Sequence, residues 1–112
     1  MDTSLESLDP SFRPKAEQLL NEAKGKGILL RVINTRRTAT EQAINLKNGV
    51  SWVQHSKHQD GLAIDVCPYE LLHEKGWKPE SPLWQQIGEI GKSLGLKWGG
   101  DWKVKDLGHF EA

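Results

Sequence analysis

This sequence of 112 residues contains a single cysteine, Cys67. One cysteine cannot close an internal disulfide or build a cysteine-based zinc site, and Cys67 reads instead as a buried strand residue. Net charge is missing as well. Fifteen basic side chains balance fifteen acidic ones, whereas a surface that tracks phosphates carries a basic excess, which excludes a nucleic-acid partner. No apolar run approaches the roughly 20 residues of a membrane span, so no membrane partner is expected. The segment from Met1 to Pro10 has neither a cationic start nor an apolar core. It does not read as a signal peptide, and the chain is expected to be cytoplasmic on synthesis.

What is present describes one globular domain, 1–112, since two would each lack the residues to enclose a core. Nothing in the sequence suggests more than a monomer. Asp9-Pro10 reads as a helix start, and Phe12, Ala16, Leu19, Leu20 and Ala23 follow at helical spacing until Gly25 and Gly27 stop it. Ile28 to Ile33 is an apolar, β-branched run that predicts a buried strand. Thr38 and Glu41 form a capping box for a second helix, from about Thr38 to Lys47, ending at Asn48-Gly49. Leu62 to Cys67 reads as another strand, and Tyr69 to Lys75 as a short helix. Ser81-Pro82 opens a third helix with Leu83, Ile87, Ile90 and Leu94 on one stripe and Gly95 beyond its end. Leu96 to Trp98 and His109 to Glu111 are short strand candidates. Helices and strands do not alternate strictly, so the expected class is α+β, with a small, mainly antiparallel sheet and about three helices.

Three side chains stand out chemically. His58 and Asp65 lie in Ser56-Lys57-His58-Gln59-Asp60-Gly61-Leu62-Ala63-Ile64-Asp65, and His109 lies in Asp106-Leu107-Gly108-His109-Phe110. A hydrolytic zinc site takes three nitrogen or carboxylate ligands and keeps a fourth position for water. His58, Asp65 and His109 supply such a set, and Gly61 lets the backbone turn between the first two. Spacing alone leaves competitors open. His55 lies three residues before His58, while Asp60 and Asp101 also carry carboxylates, though both read better as turn or loop residues. His73 reads as an ordinary surface histidine.

Ser56, His58, Gly61, Ala63 and Asp65 resemble the Ser-x-His-x-x-Gly-x-Ala-x-Asp signature of the zinc D-Ala-D-Ala carboxypeptidases and dipeptidases. Their relatives include the L-alanyl-D-glutamate endopeptidases of bacteria and phages. Trp98-Gly99-Gly100-Asp101-Trp102, then Asp106-x-x-His109-Phe110-Glu111, is similar to the end of the same family, as is Arg37-Thr38 with Gln42. The likeness runs from about Leu8 to Glu111 in the family's order. It implies a hedgehog/D-Ala-D-Ala peptidase-like fold with one zinc ion on the sheet, held by His58, Asp65 and His109. It further implies Asp106 as the catalytic carboxylate and Arg37 as the group that holds substrate or the developing oxyanion. Ser56 and Gln42 are implied near the site, and Ser56 is expected to orient a ligand or its loop.

Arg36 and Arg37 are adjacent, and only one can face the site from extended backbone; the register with Thr38 and Gln42 selects Arg37. Many relatives carry an apolar residue before the arginine, where this chain has Thr35-Arg36. Of the five tryptophans, Trp98 and Trp102 flank the glycine turn and are expected to shape the substrate groove. Trp84 is expected in the core, and Trp52 and Trp77 stay unassigned. His109 lies close to the last residue of the sequence, and the edge that contains it is expected to be held by sheet pairing and by the metal, and to fray over Gly108 to Glu111 without the ion.

The implied activity is zinc-dependent hydrolysis of peptidoglycan stem peptides at the L-alanyl-D-glutamate bond. The setting would be a phage or prophage endolysin, released to the cell wall by a holin. D-Ala-D-Ala carboxypeptidase action is the alternative within the same fold. A non-catalytic, zinc-stabilised wall-binding module is disfavoured, because structural zinc sites close with four protein ligands.

Overall fold

The computed structural model describes residues 2–38, 44, 47 and 56–112. The predicted helix over Thr38 to Lys47 lies largely outside the described residues, as do Gln42, Trp52 and His55.

The first helix, α1, spans Arg13–Gly25. It begins later than Asp9-Pro10 suggests, because Asp9 spends its side chain on a local turn. Its carboxylate accepts from the Ser11 amide at 2.9 Å, and its carbonyl accepts from the Phe12 and Arg13 amides. Buried Ala16, Leu19 and Ala23 form the inner stripe of α1. Strand β1, Leu30–Asn34, follows. Strand β2, Ala63–Pro68, leads into a 3-10 turn over Tyr69–Leu71 in place of the expected longer helix. The second described helix, α2, spans Pro82–Ser93; the Ser81 hydroxyl caps it by accepting from the Leu83 amide, and Pro82 occupies its first turn. Strand β3 is Lys97–Trp98, a 3-10 turn covers Gly99–Asp101, and β4 is His109–Glu111.

The four strands form one antiparallel sheet in the order β1-β2-β4-β3. This is the expected α+β class. The last strand, β4, is interior to the sheet. It pairs with β2 on one side and β3 on the other, because the chain after β3 turns back and inserts its last strand into the gap. Both of its ladders hold it, so the expected sheet pairing secures His109 from two sides.

Side chains alternate across a strand. Ile64, Val66 and Phe110 are fully buried, in one cluster with Phe12, Ala16 and Leu19 of the α1 side and Ile87 and Ile90 of α2. Asp65, between Ile64 and Val66, and His109, next to Phe110, therefore project from the opposite face. A bulge in β1 between Val32 and Asn34 shifts register, so that Asn34 stands opposite Asp65 and the chain beyond it is re-aimed towards the same face. Among the described residues, no helix is long and apolar enough to cross a membrane.

Candidate active site

Asp65 and His109 are direct partners in the β2–β4 register, which sets their side chains beside each other on one face. The Asp65 Oδ1 lies 2.9 Å from His109 Nδ1. His58 comes from the turn before β2. That turn closes through Gly61, whose φ of +72° suits glycine; a Cβ there would also stand 2.7 Å from the Asp9 backbone nitrogen. Ser56, buried, accepts from the His58 amide at 3.2 Å through its hydroxyl and so shapes the turn.

His58 is 2% exposed. Its Nδ1 is 2.8 Å from the Thr35 carbonyl oxygen. A carbonyl only accepts, so Nδ1 carries the proton and the lone pair of the neutral ring sits on Nε2. That Nε2 is buried without a hydrogen-bond partner. It lies 3.1 Å from Asp65 Oδ2, yet without hydrogen-bond geometry, so two electron-pair donors face each other. The ligand atoms of His58, Asp65 and His109 all lie within 4.8 Å of one another. An orphaned imidazole nitrogen, a carboxylate and a second imidazole nitrogen at this separation suit a divalent cation of the zinc type. The donor set fits the metal that the sequence implies.

The electrostatics agree. Burial works to raise the Asp65 carboxyl, but the hydrogen bond from His109 and the two imidazoles beside it outweigh burial and hold the group far below the usual carboxylate range. Asp65 is therefore an anion. Burial works to lower His109 in the metal-free protein, but Asp65 and Glu111 push it up to about 9. Asp106 shifts the other way from Asp65: burial first, then the negative charge of Asp65, raises its carboxyl, against opposing pulls from His109, His58 and Arg37. Its Oδ2 is 3.9 Å from His109 Nδ1. A half-exposed carboxylate with a raised pKa beside three potential ligands is suited to proton transfer.

The Arg37 amide donates to the His58 carbonyl at 3.0 Å, and its charge is felt at Asp106. Arg36 turns elsewhere, its Nη1 reaching the Ser7 carbonyl at 3.4 Å. Trp102 is partly exposed, its ring 5.0 Å from that of His109. Trp98 serves the site from beneath: it is 4% exposed and its indole N–H holds the Leu107 carbonyl at 2.7 Å. Trp84 is in the core as expected, and Trp77 stacks on it. A cavity of about 560 Å³ opens beside Asp106, walled by Trp77, Trp84, Trp98 and Lys105 among others. Two participants went unnoticed in the sequence. Thr35 acts through its carbonyl, which leaves no side-chain signal, and Glu111 lies two residues along β4 from His109, on the same face.

Residues 50–112 match the family model described as D-alanyl-D-alanine carboxypeptidase. The chain is 33% identical over 121 aligned positions to the Bacillus subtilis peptidoglycan L-alanyl-D-glutamate endopeptidase CwlK, covering 93% of this chain and 72% of that protein. It is 29% identical over 99 residues to the L-alanyl-D-glutamate peptidase of Listeria phage A118. That match covers 88% of this chain but only 35% of the phage protein, so the chain spans about a third of that relative's length. Among solved structures, the Serratia marcescens L-Ala D-Glu endopeptidase ChiX superposes with a TM-score of 0.71 at 22% identity, covering 96% of this chain and 81% of ChiX. The vancomycin-resistance D,D-pentapeptidase VanY, solved with Zn(II), gives 0.66 at 17% identity over 93% and 71% of the two chains. These two likenesses establish the fold.

Proposed function

This chain belongs to the D-alanyl-D-alanine carboxypeptidase family, and from that premise we propose that it is a zinc peptidase cutting the L-alanyl-D-glutamate bond of peptidoglycan stem peptides, as a phage or prophage endolysin. The observation that carries the reading is the convergence of His58, Asp65 and His109 with Asp106 3.9 Å from His109. The choice of bond is supported by the names of the bacterial and phage relatives, which are both L-alanyl-D-glutamate peptidases.

His58 through Nε2, Asp65 through its carboxylate and His109 through Nδ1 would hold the ion. When bound, zinc supplies Lewis acidity, polarising the scissile carbonyl and acidifying the attacking water. Asp106 takes the proton from that water as it attacks and passes it to the leaving amine; its raised pKa brings it closer to the operating pH than an ordinary carboxylate. Arg37 holds a substrate carboxylate or the oxyanion that develops on the scissile carbonyl, and a fixed guanidinium serves either. Trp102, its ring 5.0 Å from that of His109, offers an apolar wall to the substrate beside the metal position. The cavity beside Asp106 receives the stem peptide.

D-Ala-D-Ala carboxypeptidase action is the second reading, favoured by the description of the matching family model. Digestion of purified peptidoglycan with and without a chelator, followed by mass analysis of the fragments, tests both. New L-alanine carboxyl ends that vanish with chelator are expected. Release of terminal D-alanine would favour the second reading, and no cleavage at all would refute both. Asp106→Ala should lose turnover while keeping metal; unchanged behaviour would mark a binding module.

A further inference from the structure

Glu111 stands on the same strand face as His109, two residues along β4. Its Oε1 lies 2.8 Å from His109 Nε2, while the other ring nitrogen, Nδ1, faces Asp65 at 2.9 Å. The two ring nitrogens thus have different neighbours: Nδ1 faces Asp65, a member of the candidate metal-binding trio, and Nε2 faces Glu111. Resting on the zinc reading above, we propose that Glu111, itself steadied by Lys57, is a positioning residue. It accepts the Nε2 proton of His109 in a hydrogen bond and so reserves the Nδ1 lone pair for the metal.

Three further features point the same way. Lys57 Nζ is 3.5 Å from Glu111 Oε2 and donates to the Ala112 carbonyl at 2.7 Å. Lys57 immediately precedes His58, so one lysine ties the turn that carries the first imidazole to the strand that carries the second. Ala63 is the register partner of Glu111 and is fully buried. A residue this small leaves the space that the Glu111 side chain occupies on the shared face, which gives the alanine of the Gly-x-Ala-x-Asp run a physical purpose. Finally, the arrangement mirrors His58, where the Thr35 carbonyl accepts from Nδ1 and frees Nε2. Each imidazole has one nitrogen held by an acceptor outside the trio and the other turned inward. A ring whose tautomer and tilt are fixed in advance loses less freedom on binding a metal, and removing such a partner costs about 10–100-fold in metal affinity.

The test is zinc affinity, read by competition with a chromophoric chelator, for the whole chain and its variants. Wild type should bind zinc tightly. Glu111→Ala should bind about 10–100-fold more weakly, and Glu111→Gln should recover most of the loss, because its amide oxygen accepts the same hydrogen bond. Lys57→Met should weaken binding by roughly threefold, a fraction of the direct partner's effect. A second readout is long-range nitrogen–proton NMR of the zinc-loaded protein, which should place the His109 proton on Nε2 in wild type. Glu111→Ala affinity within twofold of wild type would overturn the proposal, as would a His109 proton on Nδ1. Should Glu111→Ala fail to fold, Lys57→Met decides, and unchanged affinity there overturns it equally. A wild-type chain that binds no zinc would refute the peptidase reading itself, a result distinct from any difference among the variants.

Discussion

Gly99 and Asp106 are bound to each other through their backbones: the Asp106 amide donates to the Gly99 carbonyl at 2.9 Å, and a Cβ on Gly99 would overlap the Asp106 carbonyl oxygen. The glycine turn after β3 is therefore the seat on which the proposed catalytic carboxylate rests. Gly99→Ala must push Asp106 outward. A displacement near 1 Å at such a group costs on the order of 100-fold in rate, while His58, Asp65 and His109 lie on elements that this turn does not carry. The expected result is a large fall in turnover on peptidoglycan fragments with zinc affinity within about twofold of wild type, since the ligands themselves are untouched. Full turnover in the alanine variant would show that the turn does not set the position of Asp106.

Similarly close contacts lie on the other side of the sheet. A Cβ on Gly91 of α2 would run into the Phe110 ring, and one on Gly88 would stand 2.5 Å from the Trp98 ring. These glycines let α2 lie close against the strand that carries His109. Gly91→Ala gains helix propensity but overpacks a core whose neighbours are fully buried, and overpacking costs about 1–3 kcal/mol. The variant should melt several degrees lower. A melting temperature equal to or above wild type would mean that Phe110 can swing aside at no cost.

The sequence and the structure meet unevenly. The convergence of His58, Asp65 and His109 was legible because a dense motif pins the first two and a second, C-terminal motif pins the third, and because Leu62 to Cys67 and His109 to Glu111 carry strand-forming residues in short runs. The helix over Pro82–Ser93 was legible from its serine cap, its proline and its apolar stripe. The place of β4 in the sheet was not, since strand order is set by long-range pairing that a three-residue strand cannot announce. The start of α1 was misjudged because Asp9 caps a turn as readily as a helix. The Thr35 carbonyl was invisible for a simpler reason, as any residue type supplies one. Trp98 was read as a groove residue for its place beside the glycine turn near the site; it does wall the cavity beside Asp106, but as a buried ring packed closely on Gly88 and Gly100.

Zinc should stabilise this protein more as the pH rises. In the metal-free state His109 is raised to about 9, above its ordinary value of 6.5. Its protonated pairing with Asp65 and Glu111 therefore adds stability that is full below about 6.5 and is lost as pH rises through about 9. Zinc needs the Nδ1 lone pair and must displace that proton, so its affinity falls as the solution becomes more acidic. Asp65, held far below the usual range, stays anionic and adds no competition across neutral pH. Melting curves at fixed zinc, each compared with chelator, should show a larger zinc-induced shift at pH 8 than at pH 6. The reverse order would mean that His109 does not coordinate through the nitrogen that faces Asp65.

Cys67 offers a check on the rigidity of the strand that carries Asp65. It is fully buried, two residues beyond Asp65 on β2, and its Sγ lies 3.4 Å from the Pro68 carbonyl oxygen. Burial pushes its thiol up to about 11. The thiolate is the reactive form, so the native protein should resist disulfide reagents at pH 8 and yield one reactive thiol only in denaturant. The sign of the linkage is fixed as well: the unfolded thiol ionises near its ordinary value, around 9, before the folded one does. Stability should therefore fall between about pH 9 and pH 11, as the unfolded state sheds the proton first. Labelling in native buffer should follow global unfolding and slow when zinc is added. Rapid labelling of the zinc-loaded protein would show that β2 opens locally, and a strand that opens could not hold Asp65 in register with His109.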